Sequence, residues 1–147
     1  TALLIVGFPF IPALRRRRAI HRWLGRVYAT GCIVGGASGL VVAGGTTAGP
    51  LAAWGFGLLA VTWLYTTSQG WLAARGRRFE QHREWMIRSF ALTFAAVTLR
   101  LWLPLSMLAD IPNAQAYPVI AWLAWVPNLI VAELYLRRDG LLRRQTT

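Results

Sequence analysis

The stretch VYATGCIVGGASGLVVAGGTTAGPLAAWGFGLLAVTWLYTTSQGWLAA (residues 27–74) carries no charged side chain, and its reading decides the fold. Its one strong break is Gly44-Gly45-Thr46-Thr47-Ala48-Gly49-Pro50, a run of turn-forming residues. On each side lies an apolar arm of roughly 20 residues, the length a helix needs to cross a hydrocarbon layer ~30 Å thick. The stretch reads as a transmembrane helical hairpin.

The rest of the chain extends the pattern. Hydrophobic residues make up 56% of it, yet the formal charge is +11 and every one of the 16 basic residues is arginine. A core-forming soluble domain and a disordered basic tail both fail to match that mixture. Nucleic-acid binding is the first rival explanation of so much arginine, and the distribution argues against it. Apart from Arg88 and Arg100, the arginines fall in three places: Arg15 to Arg18 with Arg22 and Arg26, then Arg75, Arg77, Arg78 and Arg83, then Arg137, Arg138, Arg143 and Arg144. The turns between, at residues 44–50 and 110–118, hold no basic residue. Such alternation is the positive-inside pattern of a polytopic bacterial inner-membrane protein, with arginine loops and C-terminus in the cytoplasm. Membrane lipids, through their anionic headgroups, are the expected partner of the surplus charge, and nucleic acid is not expected.

The expected architecture is all-α, an up-and-down transmembrane bundle forming a single domain over residues 1–147. Four full spans are expected, at about Ala19–Val42, Leu51–Ala74, Gln81–Leu105 and Tyr117–Leu136. The N-terminal TALLIVGFPFIPAL (residues 1–14) is too short to cross, so it counts as a partial span that upstream residues would complete, kinked by Pro9 and Pro12. Tryptophan enrichment at interfaces checks the register: Trp23, Trp71 and Trp85 belong near the cytoplasmic side, Trp54, Trp102 and Trp122 near the outer side. Trp63 and Trp125 fall deeper and read as packing residues. Cys32 is the sole cysteine, which precludes a disulfide within the chain.

The chain holds two histidines, and they occupy matching places. His21 in HRWLGRVY (residues 21–28) and His82 in HREWMIRS (residues 82–89) each follow an arginine cluster and open an apolar span. His21 begins a stripe of small residues, Gly25, Ala29, Cys32, Gly36, Gly39 and Ala43, spaced alternately four and three apart. Close helix packing explains such a face; a flat porphyrin lying on it is the sharper alternative. His82 begins the stripe Met86, Ser89, Thr93, Ala96 and Arg100, whose polar members belong in the bundle interior rather than in lipid.

Both histidine-bearing spans run in the same direction, so the two imidazoles can lie at one depth. That is the condition for clamping a single iron, and the expected metal ligands are His21 and His82, holding haem b near the cytoplasmic face. Gly25 offers the adjoining flat surface, and Arg22, Arg26, Arg83 or Arg88 would meet the propionates. Helix capping or headgroup contact by two interfacial histidines is the plainer alternative. Arg88 has a competing assignment, an intramembrane ion pair with Glu133, which in turn has Arg137 four residues on as a blander partner. Arg100 belongs at the outer interface, meeting Asp110 or snorkelling. Pro127-Asn128 interrupts the last span; a kink explains it, and a quinone or substrate pocket with Tyr65, Gln69 and Asn128 is the alternative.

Four blocks, HRWLGRVY, GFGLLAVTWLYTT (residues 55–67), HREWMIRSFALTFAAVTLRLWLP (residues 82–104) and AWLAWVPNLIVAELYLRR (residues 121–138), together resemble bacterial predicted membrane proteins grouped as domain of unknown function 2306. The resemblance runs from Arg18 to Arg138. It implies a multi-spanning inner-membrane protein, usually with a longer helix before the arginine loop than this sequence has, and it implies no activity.

Function therefore rests on the residues. The leading expectation is a b-type haem protein that transfers electrons. The alternative is a non-catalytic accessory subunit of a larger membrane complex, respiratory or photosynthetic, packing through its glycine-rich and tryptophan-rich faces or binding lipid. A small transporter ranks last, because only Pro127-Asn128 resembles a broken helix. No hydrolytic arrangement, phosphate loop or zinc-spaced cluster is visible, so hydrolysis is not expected.

Overall fold

A computed structural model describes residues 18–145. The expected partial span at residues 1–14 lies outside them. Among the described residues the chain is 88% helix with no strand. Six helices follow in order: α1 (Arg18–Gly44), α2 (Pro50–Arg75), α3 (Phe79–Thr93), α4 (Ala95–Leu108), α5 (Asn113–Leu123) and α6 (Val126–Gln145).

The local chemistry sets the boundaries. Pro50 starts α2 at a position where its missing N–H costs nothing, preceded by Gly49 at φ 89°. At the far end of α2 the Arg78 amide bonds back to the Ala73 carbonyl (2.9 Å) and the Arg77 amide to Ala74 (3.2 Å), closing a Schellman-type cap with Arg77 at φ 56°. α3 and α4 form one nearly continuous apolar stretch, Phe79–Leu108, interrupted at Phe94, and α5 with α6 form another, Asn113–Leu141. Pro127 accounts for the second interruption. Its ring removes the amide that would have bonded to the Leu123 carbonyl, where α5 ends. Asn128 Nδ2 spans the break, donating to the Ala124 carbonyl (2.9 Å) and to Thr98 Oγ1 of α4 (2.9 Å).

These limits differ from expectation at the third and last spans: the stretch expected as one span at Gln81–Leu105 is two helices parted at Phe94, and the last span begins earlier and its helix runs on to Gln145. The turn before the last span covers four residues, 109–112, rather than reaching Pro118. Pro112 ends the turn, and Pro118 sits inside α5, where the helix continues past it.

Three stretches, Ala19–Gly44, Phe79–Leu108 and Asn113–Leu141, are long and apolar enough to cross a membrane. α2 is 26 residues long, but its threonines, glycines and tryptophans dilute its hydropathy. α2 packs along both α1 and α3 and also meets α5, whereas α6 lies against α3.

Glycine makes the α1–α2 approach possible. A Cβ on Gly36 would stand 2.6 Å from Leu64 Cγ, and one on Gly35 would stand 3.1 Å from the Trp63 ring. Gly39 faces Ala60. For these glycines close helix packing is the role observed. Gly31 meets nothing. Gly36→Ala is expected to destabilise the protein by about 1–3 kcal/mol through overpacking, whereas Gly31→Ala leaves it unchanged or slightly more stable; thermal unfolding in detergent compares them.

Candidate functional site: a cavity between the two histidines

The histidine stripes on α1 and α3 do not touch along their whole length, because α2 lies between the two helices. At the arginine-rich end this leaves a cavity of about 490 Å³. His21, Arg22, Gly25 and Arg26 line it from α1, His82, Arg83 and Met86 from α3, and Trp71, Ala74 and Arg75 from α2. Tyr28, Ala29 and Thr67 reach it from deeper in the bundle.

His21 and His82 come together across this space, with ring centroids 6.5 Å apart and planes at 86°. His82 Nδ1 lies 2.8 Å from the Gly70 carbonyl of α2. A carbonyl only accepts, so Nδ1 carries the proton, and in the neutral ring Nε2 presents a lone pair. Among the described residues no third histidine, cysteine, aspartate or glutamate joins them to form a metal-binding group.

Below the histidines a hydroxyl network ties the three helices together. Ser89, fully buried, lies 2.8 Å from the Tyr28 phenol and 2.6 Å from Thr67 Oγ1. Thr93 Oγ1 contacts Tyr28 (3.0 Å), accepts from Trp63 Nε1 (3.0 Å) and donates to the Ser89 carbonyl (3.0 Å). Counting protons fixes the direction. Thr93 spends its one proton on the carbonyl, so Tyr28 donates to Thr93, Ser89 donates to Tyr28 and Thr67 donates to Ser89. The chain ends on a backbone carbonyl, which makes it a clasp rather than a through-going proton path. The polar stripe expected on α3 thus faces inward at Ser89 and Thr93. Tyr28 was not singled out from the sequence, although it follows His21 by seven residues and so shares its helix face.

The chain matches the family described as Predicted membrane protein (DUF2306) over residues 1–136. It belongs to that family. No curated protein and no solved structure matches it.

In this DUF2306 protein the arginines divide into two groups. Arg22, Arg26 and Arg75 line the cavity, and among the described residues no carboxylate lies within ion-pair distance of them. Arg75 was not among the expected site residues, although it ends the helix that floors the cavity. Arg83 lines the cavity while donating to Asp139 (2.7 Å) and to the Tyr135 hydroxyl (3.4 Å).

Arg88 is not among the residues that line the cavity. Its guanidinium is forked onto Glu133 (2.5 and 3.1 Å), lies over the Trp85 ring (4.9 Å) and approaches Glu84 (3.9 Å). The forked pair gives both charged groups a close partner. Glu133 is therefore held by Arg88 from a neighbouring helix rather than by Arg137 alone. Arg100 does not meet Asp110; it donates to the Ala96 carbonyl (2.8 Å). Nor are Tyr65, Gln69 and Asn128 gathered into a pocket. Tyr65 stands edge-on to Trp85, Asn128 bonds Thr98, and none of the three lines the cavity.

Removing one partner of the Arg88–Glu133 pair leaves the other without its close, forked counter-charge. Arg88→Ala is therefore expected to destabilise more than the double replacement Arg88→Met/Glu133→Leu, measured as the unfolding temperature in one detergent. Tyr28→Phe breaks the clasp at its centre and is expected to cost about 1–2 kcal/mol in the same assay.

Proposed function

We propose that this protein is a b-type haem-binding electron-transfer protein of the bacterial inner membrane, with one haem held between His21 and His82 near the cytoplasmic face. The observation that carries the reading is the pairing of the chain's only two histidines, 6.5 Å apart, on one cavity where, among the described residues, no group of three or more His, Cys, Asp or Glu side chains forms. Two imidazoles leave a tetrahedral ion such as zinc short of ligands. They suit a metal whose other positions a macrocycle already fills.

The spacing fits as well. Two ring nitrogens, each about 2 Å from a shared metal and about 1 Å from its own ring centre, put the centroids roughly 6 Å apart. His82 is oriented by a backbone carbonyl, the usual support for a ligating imidazole. Gly25 adds no side chain to the cavity wall: a Cβ there would meet nothing within 4 Å. Arg22, Arg26 and Arg83, joined by Arg75, are the cations that would hold the propionates. Haem bound there supplies a one-electron couple.

The membrane reading has four full crossings, counting α2 with the three apolar stretches, and residues 1–14 as a partial one. The Arg83–Asp139 contact brings the end of α6 beside the start of α3. Arginines of all three clusters then share one side, which positive-inside topology assigns to the cytoplasm together with the C-terminus. Anionic headgroups are the partners of the arginines facing outward, and other membrane subunits would pack on the glycine-rich and tryptophan-rich faces.

The test is an absorption spectrum of the purified protein before and after dithionite. A Soret band that sharpens on reduction, and is lost in both His21→Ala and His82→Ala, is expected. A folded protein that is colourless and takes up no added haemin overturns the reading and leaves the accessory subunit, for which the 6.5 Å spacing is a direct edge-on contact between two rings.

A further inference from the structure

We infer that Gly70 of α2 is a positioning residue: its carbonyl commits His82 to presenting Nε2 to the cavity, and its lack of a side chain lets α3 come close enough for this. The inference rests on the haem reading only in what it says about iron; the statement about the imidazole stands on the apoprotein.

Three observations combine. First, the Nδ1 to Gly70 oxygen distance is 2.8 Å, and the acceptor has no proton to give. A helical carbonyl has two lone pairs, so Gly70 can accept from the amide four residues on and from the imidazole together. Second, Gly70 is buried against α3. A Cβ there would stand 3.0 Å from Met86 Sδ and 3.5 Å from Trp85 Cβ, so a branched side chain has to displace the Met86 thioether and press on α3 at Trp85. Third, Met86 lies one turn beyond His82 on the same face and lines the same cavity. A side chain at residue 70 too large for the Met86 thioether to yield to presses on the turn that carries His82, whose own amide bonds to the Arg78 carbonyl (2.9 Å). One glycine therefore sets both the closeness of α3 and the tautomer of the imidazole.

A ligating imidazole held by a carbonyl is more basic and is fixed in rotation, and loss of such support typically costs about 10- to 100-fold in metal affinity. Gly70→Val is expected to remove that support. Gly70→Ala, which asks the flexible Met86 thioether to yield only slightly, is expected to stay close to wild type. Met86→Ala in the Gly70→Val background makes room and is expected to restore much of the effect.

The experiment measures the ring nitrogen shifts of ¹⁵N-labelled His82 by NMR in haem-free protein, then titrates the same samples with haemin. The wild type is expected to show the form protonated at Nδ1. Gly70→Val is expected to shift toward the form protonated at Nε2 and to bind haemin about 10- to 100-fold more weakly, with recovery in the double variant. An Nε2-protonated wild type overturns the inference without need of any variant, as does a folded Gly70→Val protein with unchanged tautomer and affinity. An Nδ1-protonated wild type that loses that tautomer in Gly70→Val yet binds no haemin supports the role of Gly70 and overturns the haem reading instead.

Discussion

The structure depends on how closely α2 lets its neighbours approach. Where α1 meets it, Gly35, Gly36 and Gly39 receive Trp63, Leu64 and Ala60; where α3 meets it, Gly70 receives Met86; where α5 meets it, Gly55 lies against Ala121 and Trp122. In lipid there is no hydrophobic force to press helices together, so van der Waals contact through small residues has to do it. With α2 in the middle, α1 and α3 are joined deep in the bundle by the Tyr28–Ser89–Thr93 hydroxyls and stay apart at the arginine-rich end. That separation is the cavity. Both imidazoles project into it because each stands near the start of a helix running in the same direction.

The same constraint sorts the charges. On α3, Arg88 faces α6 and is neutralised by Glu133, whereas Arg83 pairs with Asp139 and lines the cavity. On α1 and at the end of α2, Arg22, Arg26 and Arg75 have no carboxylate within ion-pair distance among the described residues and line the cavity with positive charge. With only 5 acidic residues against 16 arginines, most guanidinium groups in this chain must meet lipid, solvent or a bound anion.

Much of this was legible in the sequence, for identifiable reasons. The limits of α1 and α2 lie within two residues of expectation because a charge-free stretch and a Gly/Pro turn mark them. The Pro127 break was legible because proline has a local signature. The Phe94 break was not, since neither proline nor glycine is there, and Pro118 misled because a proline inside a helix looks like one in a turn. Within the site, helical spacing was enough to orient the α3 stripe inward, because Ser89 and Thr93 are polar. It was not enough to find the partner hydroxyl of Tyr28 or the carbonyl of Gly70. Those contacts depend on which helix lies between which, and a linear pattern does not hold that information.

The central claim is that α1 and α3 present two imidazoles to one metal centre, with ring planes close to perpendicular at 86°. Electron paramagnetic resonance of the oxidised, haemin-loaded protein tests it most directly, because the low-spin ferric signal depends on the angle between axial rings. Perpendicular rings give a strongly anisotropic low-spin signal, and that is the result the account predicts. A high-spin signal, meaning one imidazole or none on the iron, contradicts it.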